Sequence, residues 1–265
     1  MMNLRQSILF LGIMFGGFAS TISADATVAS SNLSQTTPKQ EISLEFPSSD
    51  REQNTVRQRR TSPRTRCPDK CIPLTSNFKK NGLDTTGLMP KDNIGTTITS
   101  NPTIVWFLPE HQAQRGKLYI FDEESPEDLY EAAFELPDGP SIVKFKLPKE
   151  LELKPGTEYI WLLEIYCTEE GGKDAAIHGY LKRQELDESL EIQLKEQAED
   201  SLEKVEIYAK AKAWNEALLG ILSLREEYPQ QWREFLASVE LAHLANFPVV
   251  EIEEVIEETI TTNNN

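Results

Sequence analysis

The sequence predicts an α+β protein in which an antiparallel β-sandwich is followed by a bundle of about three α-helices. Three observations lead to this prediction. Short segments between residues 103 and 182 alternate apolar and polar side chains, which is the period of half-buried strands. A Pro155-Gly156 turn leads into the longest of these segments. From Leu190 onward the apolar residues instead recur every three or four positions, which is typical of amphipathic helices.

The chain begins with the features of a secretory signal peptide, which we predict over residues 1–26. Arg5 supplies a positive n-region, Ile8 to Phe18 form an apolar h-region, and Ala24-Asp25-Ala26 offers a cleavage site. The apolar run is too short to span a bilayer as a helix, and no later segment approaches that length. We therefore expect a periplasmic or secreted protein with no membrane span after cleavage.

Residues 27–66 are predicted to form a flexible linker. They are rich in Ser, Thr, Gln and Asn and contain few large apolar side chains, so they cannot offset the entropy lost on ordering. The end of the linker is basic, with Arg51, Arg57, Arg59, Arg60, Arg64 and Arg66. This basic end is either a binding arm for acidic partners or a segment that adheres to the chain's own acidic domain.

Residues 67–186 are predicted to form the sandwich domain. Thr103 to Leu108, which contains Trp106, is a continuous apolar run suited to a strand buried on both faces. The further strand predictions are Lys117 to Phe121, Asp128 to Leu136, Ser141 to Leu147, Tyr159 to Cys167 and Ala176 to Lys182. We expect these strands to be antiparallel and to have polar outer faces.

The run from Leu153 to Tyr159 gives the type of sandwich. Pro155-Gly156 favours a type II turn, because proline presets the first central dihedral and glycine accepts a positive φ at the next. The pattern resembles the tyrosine corner of immunoglobulin-like and fibronectin-like sandwiches, in which the hydroxyl returns to upstream backbone. Tyr159, Trp161 and Cys167 share parity along the following strand, so we expect all three to point into the core.

Residues 187–248 are predicted to be helical. The first helix is a single long stripe from Leu190 to Tyr208, the second runs from Trp214 to Arg225, and the third begins at Trp232 and ends near Pro248. Trp106, Tyr159, Trp161, Trp214 and Trp232 are the expected structural core. Residues 249–265 are predicted to be an acidic disordered tail.

The charge distribution argues against two classes of partner. The formal net charge is −16, and from Cys67 onward 19 Lys and Arg face 38 Asp and Glu. A surface this acidic repels nucleic acid phosphates and anionic membranes, so we predict neither as a partner.

The sequence contains no catalytic or cofactor motif that we recognise. His111, His178 and His243 match no metal-binding spacing, so we predict no metal and no cofactor. His178 is the one histidine that we would test for catalysis, although we expect a structural role for it.

Three cysteines remain to be assigned: Cys67, Cys71 and Cys167. In an oxidising compartment two of them can pair and one is left over. A Cys67–Cys167 bridge would close a loop of about 100 residues, which the chain-entropy model credits with up to about 4.7 kcal/mol.

A set of landmarks gives the chain a family resemblance. They are Arg66-Cys67-Pro68, Asn101 to Pro109, Gly139-Pro140, Leu147-Pro148, Tyr159-x-Trp161 leading to Cys167, Trp214-Asn215-Glu216-Ala217-Leu218, and Trp232. Over about Arg64 to Pro248 the chain resembles a family of exported cyanobacterial proteins catalogued as domain of unknown function 928. The resemblance implies a protein of the cell envelope and no assigned activity. Cys71 is an extra cysteine relative to the family, so the resemblance favours Cys67 as the partner of Cys167. Asn101 stands where the family has histidine, which argues against a catalytic or metal-binding histidine there.

These observations favour a non-enzymatic binding or structural module that binds an unknown protein or glycan of the cell envelope. Such a binder should present an exposed apolar or aromatic patch. The alternative is a glycan hydrolase, which needs two carboxylates about 5–10 Å apart in a cleft. A helical adaptor is a third hypothesis, and it needs an exposed apolar face on the Trp214 and Trp232 helices.

Overall fold

The computed structural model describes residues 44–47, 84–122, 125–167 and 175–255. Within these ranges the strands are β1 (Thr86–Gly87), β2 (Ile94–Thr97), β3 (Thr103–Leu108), β4 (Arg115–Asp122), β5 (Ser125–Glu135), β6 (Ser141–Lys146), β7 (Glu158–Tyr166), β8 (Ala175–Arg183) and β9 (Val249–Ile252). The helices are α1 (Glu188–Glu196), α2 (Leu202–Lys210), α3 (Trp214–Ser223) and α4 (Pro229–Ser238). The predicted α+β class is confirmed.

The strands form two mixed sheets. One has four strands in the order β1-β3-β6-β9, and the other has five in the order β2-β8-β7-β4-β5. The prediction of purely antiparallel sheets is wrong, because β2 pairs parallel to β8 and β9 pairs parallel to β6. Side-chain alternation reports which face is buried but not the direction of the neighbouring strand, so the sequence pattern could not reveal these two pairs.

The two sheets share an apolar core. The four-stranded sheet contributes Trp106 and Phe145, and the five-stranded sheet contributes Phe134 and Trp161. The ring centroids of Trp106 and Phe145 lie 5.8 Å and 5.4 Å from that of Phe134. Burial of each such side chain stabilises the fold by about 1.5–3 kcal/mol.

The turn before β7 has the predicted geometry. Gly156 adopts φ +80°, which the second central position of a type II turn requires. The backbone N–H of Lys154 donates to the Tyr159 hydroxyl at 2.9 Å, so the predicted return of this hydroxyl to upstream backbone is confirmed. The Arg183 guanidinium donates to the Leu153 carbonyl at 2.7 Å and ties the turn to β8.

The helical region contains four helices rather than about three. The single helix predicted from Leu190 to Tyr208 is two helices, because the backbone at Gln197 is extended, with ψ 149°. The Ser201 side chain then accepts a hydrogen bond from Lys204 N at 3.2 Å and begins α2. The stripe remains in phase across this break, so apolar periodicity did not reveal it.

The helices form a second core on the opposite face of the four-stranded sheet. Val105, Phe107 and Ile142 from that sheet pack with Trp214 and Phe235 of the helices. All six residues of β3 are buried, as the sequence predicted for a strand covered on both sides. No helix among the described residues is both long enough and apolar enough to cross a membrane.

Two segments are ordered although they lie in regions that the sequence predicts to be disordered. Val249–Ile252 is a strand within the region predicted to be an acidic tail, and it adds an edge strand to the four-stranded sheet by pairing with β6. In the region predicted to be a flexible linker, Leu44 is 1% exposed and Phe46 packs against the helical core. Both segments are short and lie among polar residues, so composition over longer windows concealed them. All described residues belong to one compact unit.

Candidate functional site

The predicted structural-core residues are buried. The four tryptophans Trp106, Trp161, Trp214 and Trp232 and the corner residue Tyr159 are each no more than 3% exposed. They therefore build the framework of the fold. The helical adaptor hypothesis needs an exposed apolar face on α3 and α4, and the exposed residues of these helices include no large apolar side chain: Ser223, Pro229, Gln230, Arg233 and Ala237.

Of the predicted disulfide, only Cys167 falls within the described residues; Cys67 and Cys71 lie outside them. Cys167 directly follows β7 and is partly buried against the core between the sheets. Its sulfur is not a free thiol. The identity of its partner stays a prediction.

The histidines lie apart from one another. The His111 ring contacts the Pro137 carbonyl at 3.0 Å, the His178 ring meets Tyr180 edge-on at 6.4 Å, and His243 is exposed after α4. Among the described residues, no group of three or more His, Cys, Asp or Glu side chains could hold a metal ion. His178 thus lies beside an aromatic ring on β8.

A cleft of about 400 Å³ lies beside α4. Three stretches of chain surround it: the residues after α3, the first half of α4, and the segment that leads into β9. Its lining consists of Arg225, Glu226, Pro229, Trp232, Arg233, Ala245, Asn246, Phe247 and Pro248. We call it the Arg225–Arg233 cleft.

Both arginines are held in place by their neighbours. Arg225 Nη1 donates to the Leu222 carbonyl at 3.0 Å, and Arg225 Nη2 lies 3.5 Å from Glu226 Oε1. Arg233 Nη2 donates to Asn246 Oδ1 at 3.2 Å. Each guanidinium has five N–H donors, so these bonds orient the two side chains and leave further donors for a ligand.

The floor of the cleft is rigid. The Trp232 indole N–H donates to the Ala245 carbonyl at 2.9 Å, which fastens α4 to the segment before β9. Phe247 in that segment packs against Phe107 of β3, with ring centroids 4.7 Å apart. A preformed floor loses little entropy when a ligand binds.

The local charge of the cleft is opposite to that of the protein as a whole. Only four arginines occur from Cys67 onward, and two of them, Arg225 and Arg233, line this cleft. Its one carboxylate belongs to Glu226, whose side chain is 88% exposed. Salt limits the reach of the acidic surface to about 8 Å at physiological ionic strength, so the nearby guanidiniums dominate inside the cleft. Such a site suits a carboxylate, sulfate or phosphate group.

The sequence pattern does not predict this site. Arg225 is the last residue of the predicted second helix, and Arg233 lies in the predicted third. The scarcity of arginine after Cys67 was the available signal. The two residues become neighbours only through the turn between α3 and α4, which the sequence pattern does not specify.

One carboxyl group with a raised pKa, that of Glu216, lies outside the cleft. Glu216 Oε1 accepts hydrogen bonds from the Thr97 hydroxyl at 2.7 Å and from Ile98 N at 3.2 Å. Its Oε2 is buried without a hydrogen-bond partner. Burial raises the pKa of Glu216, and these hydrogen bonds oppose that shift. The group fastens α3 to the end of β2, which is a structural role.

Two features of the described residues bear on the binder and hydrolase hypotheses: the exposed apolar side chains, and the carboxylates of the cleft. The large apolar side chains that are exposed there are Leu129 of β5, Ile192 of α1 and Val255, whose N–H donates to the Ala133 carbonyl of β5 at 2.8 Å. The Arg225–Arg233 cleft contains one carboxylate rather than the two that a glycan hydrolase requires.

A family model described as Domain of Unknown Function (DUF928) matches residues 58–249. No curated protein matches the chain.

Proposed function

The chain belongs to the DUF928 family, and from this premise we propose that it is an exported, non-enzymatic binding module of the cell envelope. The proposal includes a periplasmic or secreted location and a cyanobacterial source. The location is supported by the n-region, h-region and cleavage site within residues 1–26. The source rests on the family resemblance of the landmarks.

The proposed ligand is an acidic glycan, with one of its anionic groups bound in the Arg225–Arg233 cleft. The observation that carries this proposal is the presence of two oriented guanidiniums in one cleft of an otherwise acidic chain. Guanidinium binds a carboxylate or sulfate through paired hydrogen bonds, and the planar fork gives the contact its direction. Nucleic acid does not fit this site, because a polyphosphate needs a long basic track rather than one cationic cleft.

The proposal also includes an immunoglobulin-like sandwich held by a Cys67–Cys167 disulfide. The Lys154–Tyr159 hydrogen bond supports the type of sandwich. The engaged sulfur of Cys167 at the edge of the inter-sheet core supports the bridge.

Calorimetric titration with polysaccharides tests the ligand. We expect the mature protein to bind alginate or polygalacturonate and not neutral dextran. Arg225→Gln and Arg233→Gln should each weaken binding by about 10-fold, because each removes one charge-assisted contact. Lys195→Gln is the matched control, since it removes the same charge from a side chain that is 76% exposed and outside the cleft.

Three outcomes would contradict the proposal. If a double variant with both Arg225→Gln and Arg233→Gln bound the polysaccharide as tightly as the native protein, the ligand would have to bind elsewhere. Equal binding of dextran would remove the requirement for an anion. Shortening of the polysaccharide during the titration would favour the hydrolase alternative.

A further inference from the structure

Residues 44–47 occupy a site on the helical layer, whose residues lie far from them in the sequence. Leu44 is 1% exposed and belongs to the helical core. The Phe46 ring meets Trp214 edge-on, with centroids 4.8 Å apart and an interplanar angle of 89°. Its backbone N–H donates to the Ser238 hydroxyl at 3.2 Å, across 192 residues of sequence.

The surface that receives this segment is formed by side chains of α3 and α4. Trp214 of α3 and Phe235 of α4 stack on each other at 5.0 Å with an interplanar angle of 23°. Phe46 lies across both rings, 6.1 Å from Phe235 at 78°. The Ser238 hydroxyl donates to the Phe235 carbonyl at 2.7 Å, which fixes its lone pairs for the Phe46 N–H. We call this surface the α3–α4 groove.

The contacts are those of a short peptide in a groove. Leu44 and Phe46 pack their side chains against the α3–α4 groove, and the Phe46 backbone N–H donates to the Ser238 hydroxyl. The Phe46 ring meets the Trp214 and Phe235 rings edge-on, an arrangement that stabilises by about 0.5–1.5 kcal/mol beyond the effect of buried area. None of these contacts requires covalent continuity with β1.

The connection is long enough for the segment to reach beyond its own groove. Residues 48–83 join Pro47 to the described chain at Asp84, a stretch of 36 residues. Such a stretch has a fully extended length of about 120 Å, and the part from Pro47 to Cys67, which the proposed bridge to Cys167 would anchor, has one of about 65 Å; both exceed the diameter of a small domain. Connection length therefore does not restrict the segment to the groove of its own copy.

We propose that the α3–α4 groove is a docking site for residues 44–47 of a second copy of this chain. The sequences are identical, so every contact made within one copy is reproduced between two. Because residues 48–83 join the segment to its own copy, its effective concentration at its own groove is at most on the order of millimolar. Binding of the segment from a second copy therefore competes with binding of the copy's own segment as the protein concentration approaches that value. The exchange links copies in pairs when it is reciprocal. This inference is independent of the glycan proposal.

Peptide binding to the full-length chain tests the groove. The double variant Leu44→Ala/Phe46→Ala keeps the groove and weakens its resident segment. A fluorescein-labelled peptide copying residues 41–50 should bind this variant at least 10-fold more tightly than it binds the native chain, as read by fluorescence anisotropy. The matched control peptide carries alanine at positions 44 and 46 and should not bind. Equal binding to both proteins, or no binding up to about 1 mM, would overturn the groove assignment.

A second measurement tests exchange between copies and keeps the aromatic contact. Phe46 is replaced by p-benzoylphenylalanine, and unlabelled and ¹⁵N-labelled chains are mixed before irradiation. Mass spectrometry should find links from position 46 to α3 or α4 of the differently labelled chain, and their share should rise with protein concentration. Links confined to one isotopic label would overturn the second-copy occupant.

Discussion

The indole of Trp161 lies against two glycines from different sheets. Gly179 is its direct cross-strand partner on β8, and Gly87 belongs to β1 of the facing sheet. A Cβ atom at Gly179 would lie 2.6 Å from Trp161 Nε1, and one at Gly87 would lie 2.9 Å from Trp161 Cη2. The ring thus fills space that any larger residue at either position would occupy.

We predict that Gly179→Ala destabilises the protein by about 1–3 kcal/mol, because a fully buried indole in a close-packed core has nowhere to move. Urea unfolding followed by tryptophan fluorescence measures the change. Gly95→Ala on the neighbouring strand β2 is the matched control. Its new Cβ would meet the flexible end of Met89 at 3.0 Å, so the loss should be smaller. Equal stability of Gly179→Ala and the native protein would show that the indole relaxes freely.

At the scale of elements, the start of α3 fastens the helices to the sheets. The Asn215 side chain donates to the Thr103 carbonyl at 2.7 Å and accepts from Thr103 N at 3.3 Å, as a neighbouring strand would. The Trp214 indole N–H donates to the Leu88 carbonyl at 3.0 Å. Glu216 adds its bonds to Thr97 and Ile98. Three consecutive side chains therefore satisfy buried backbone and hydroxyl groups at the helix–sheet boundary.

Glu216 makes this boundary sensitive to pH. Burial raises its pKa above that of the unfolded chain, so the native state binds this proton more tightly. Its contribution therefore favours folding at low pH and becomes unfavourable as pH rises through the raised pKa. We predict that Glu216→Gln increases the free energy of unfolding relative to the native protein near neutral pH, and that the increase shrinks on acidification.

Urea unfolding of both proteins from about pH 8 to about pH 5 measures this difference. Glu226→Gln is the matched control for removing one carboxylate from an exposed position, since that side chain is 88% exposed. A difference between Glu216→Gln and native protein that stays constant over the whole range would refute the role assigned to Glu216.

Some elements could be predicted from the sequence and others could not. The inward orientation of Tyr159, Trp161 and Leu163 in β7 was predictable, because each buried residue alternates with a less buried one. β2 was missed, because Ile94-Gly95-Thr96-Thr97 is too short to establish a period. The break between α1 and α2 depends on one capping serine, Ser201, within an unbroken apolar phase. The Arg225–Arg233 cleft depends on the packing of three separate segments, which no local pattern encodes.

For the whole molecule, export and the disulfide belong to one prediction. The mature chain should begin at Asp25 or Thr27, and Cys67 should be linked to Cys167. The bridge would restrict the unfolded chain over about 100 residues and stabilise the fold by up to about 4.7 kcal/mol. Non-reducing peptide mapping of protein recovered from the exported fraction measures both features. An intact Met1 would contradict export with cleavage, and a Cys71–Cys167 peptide would contradict the pairing.

The parallel pairing of β9 with β6 has a consequence for biosynthesis. The paired residues Lys144 and Glu251 are 107 positions apart, and all four helices lie between them. A ribosome makes the chain from its first residue to its last, so β6 leaves the exit tunnel long before the strand that covers its edge. The four-stranded sheet therefore cannot close on a nascent chain until residues 249–252 have emerged. Such a polypeptide keeps an open edge, and with it an unfinished shape suited to threading through a translocation channel, until β9 has been synthesised.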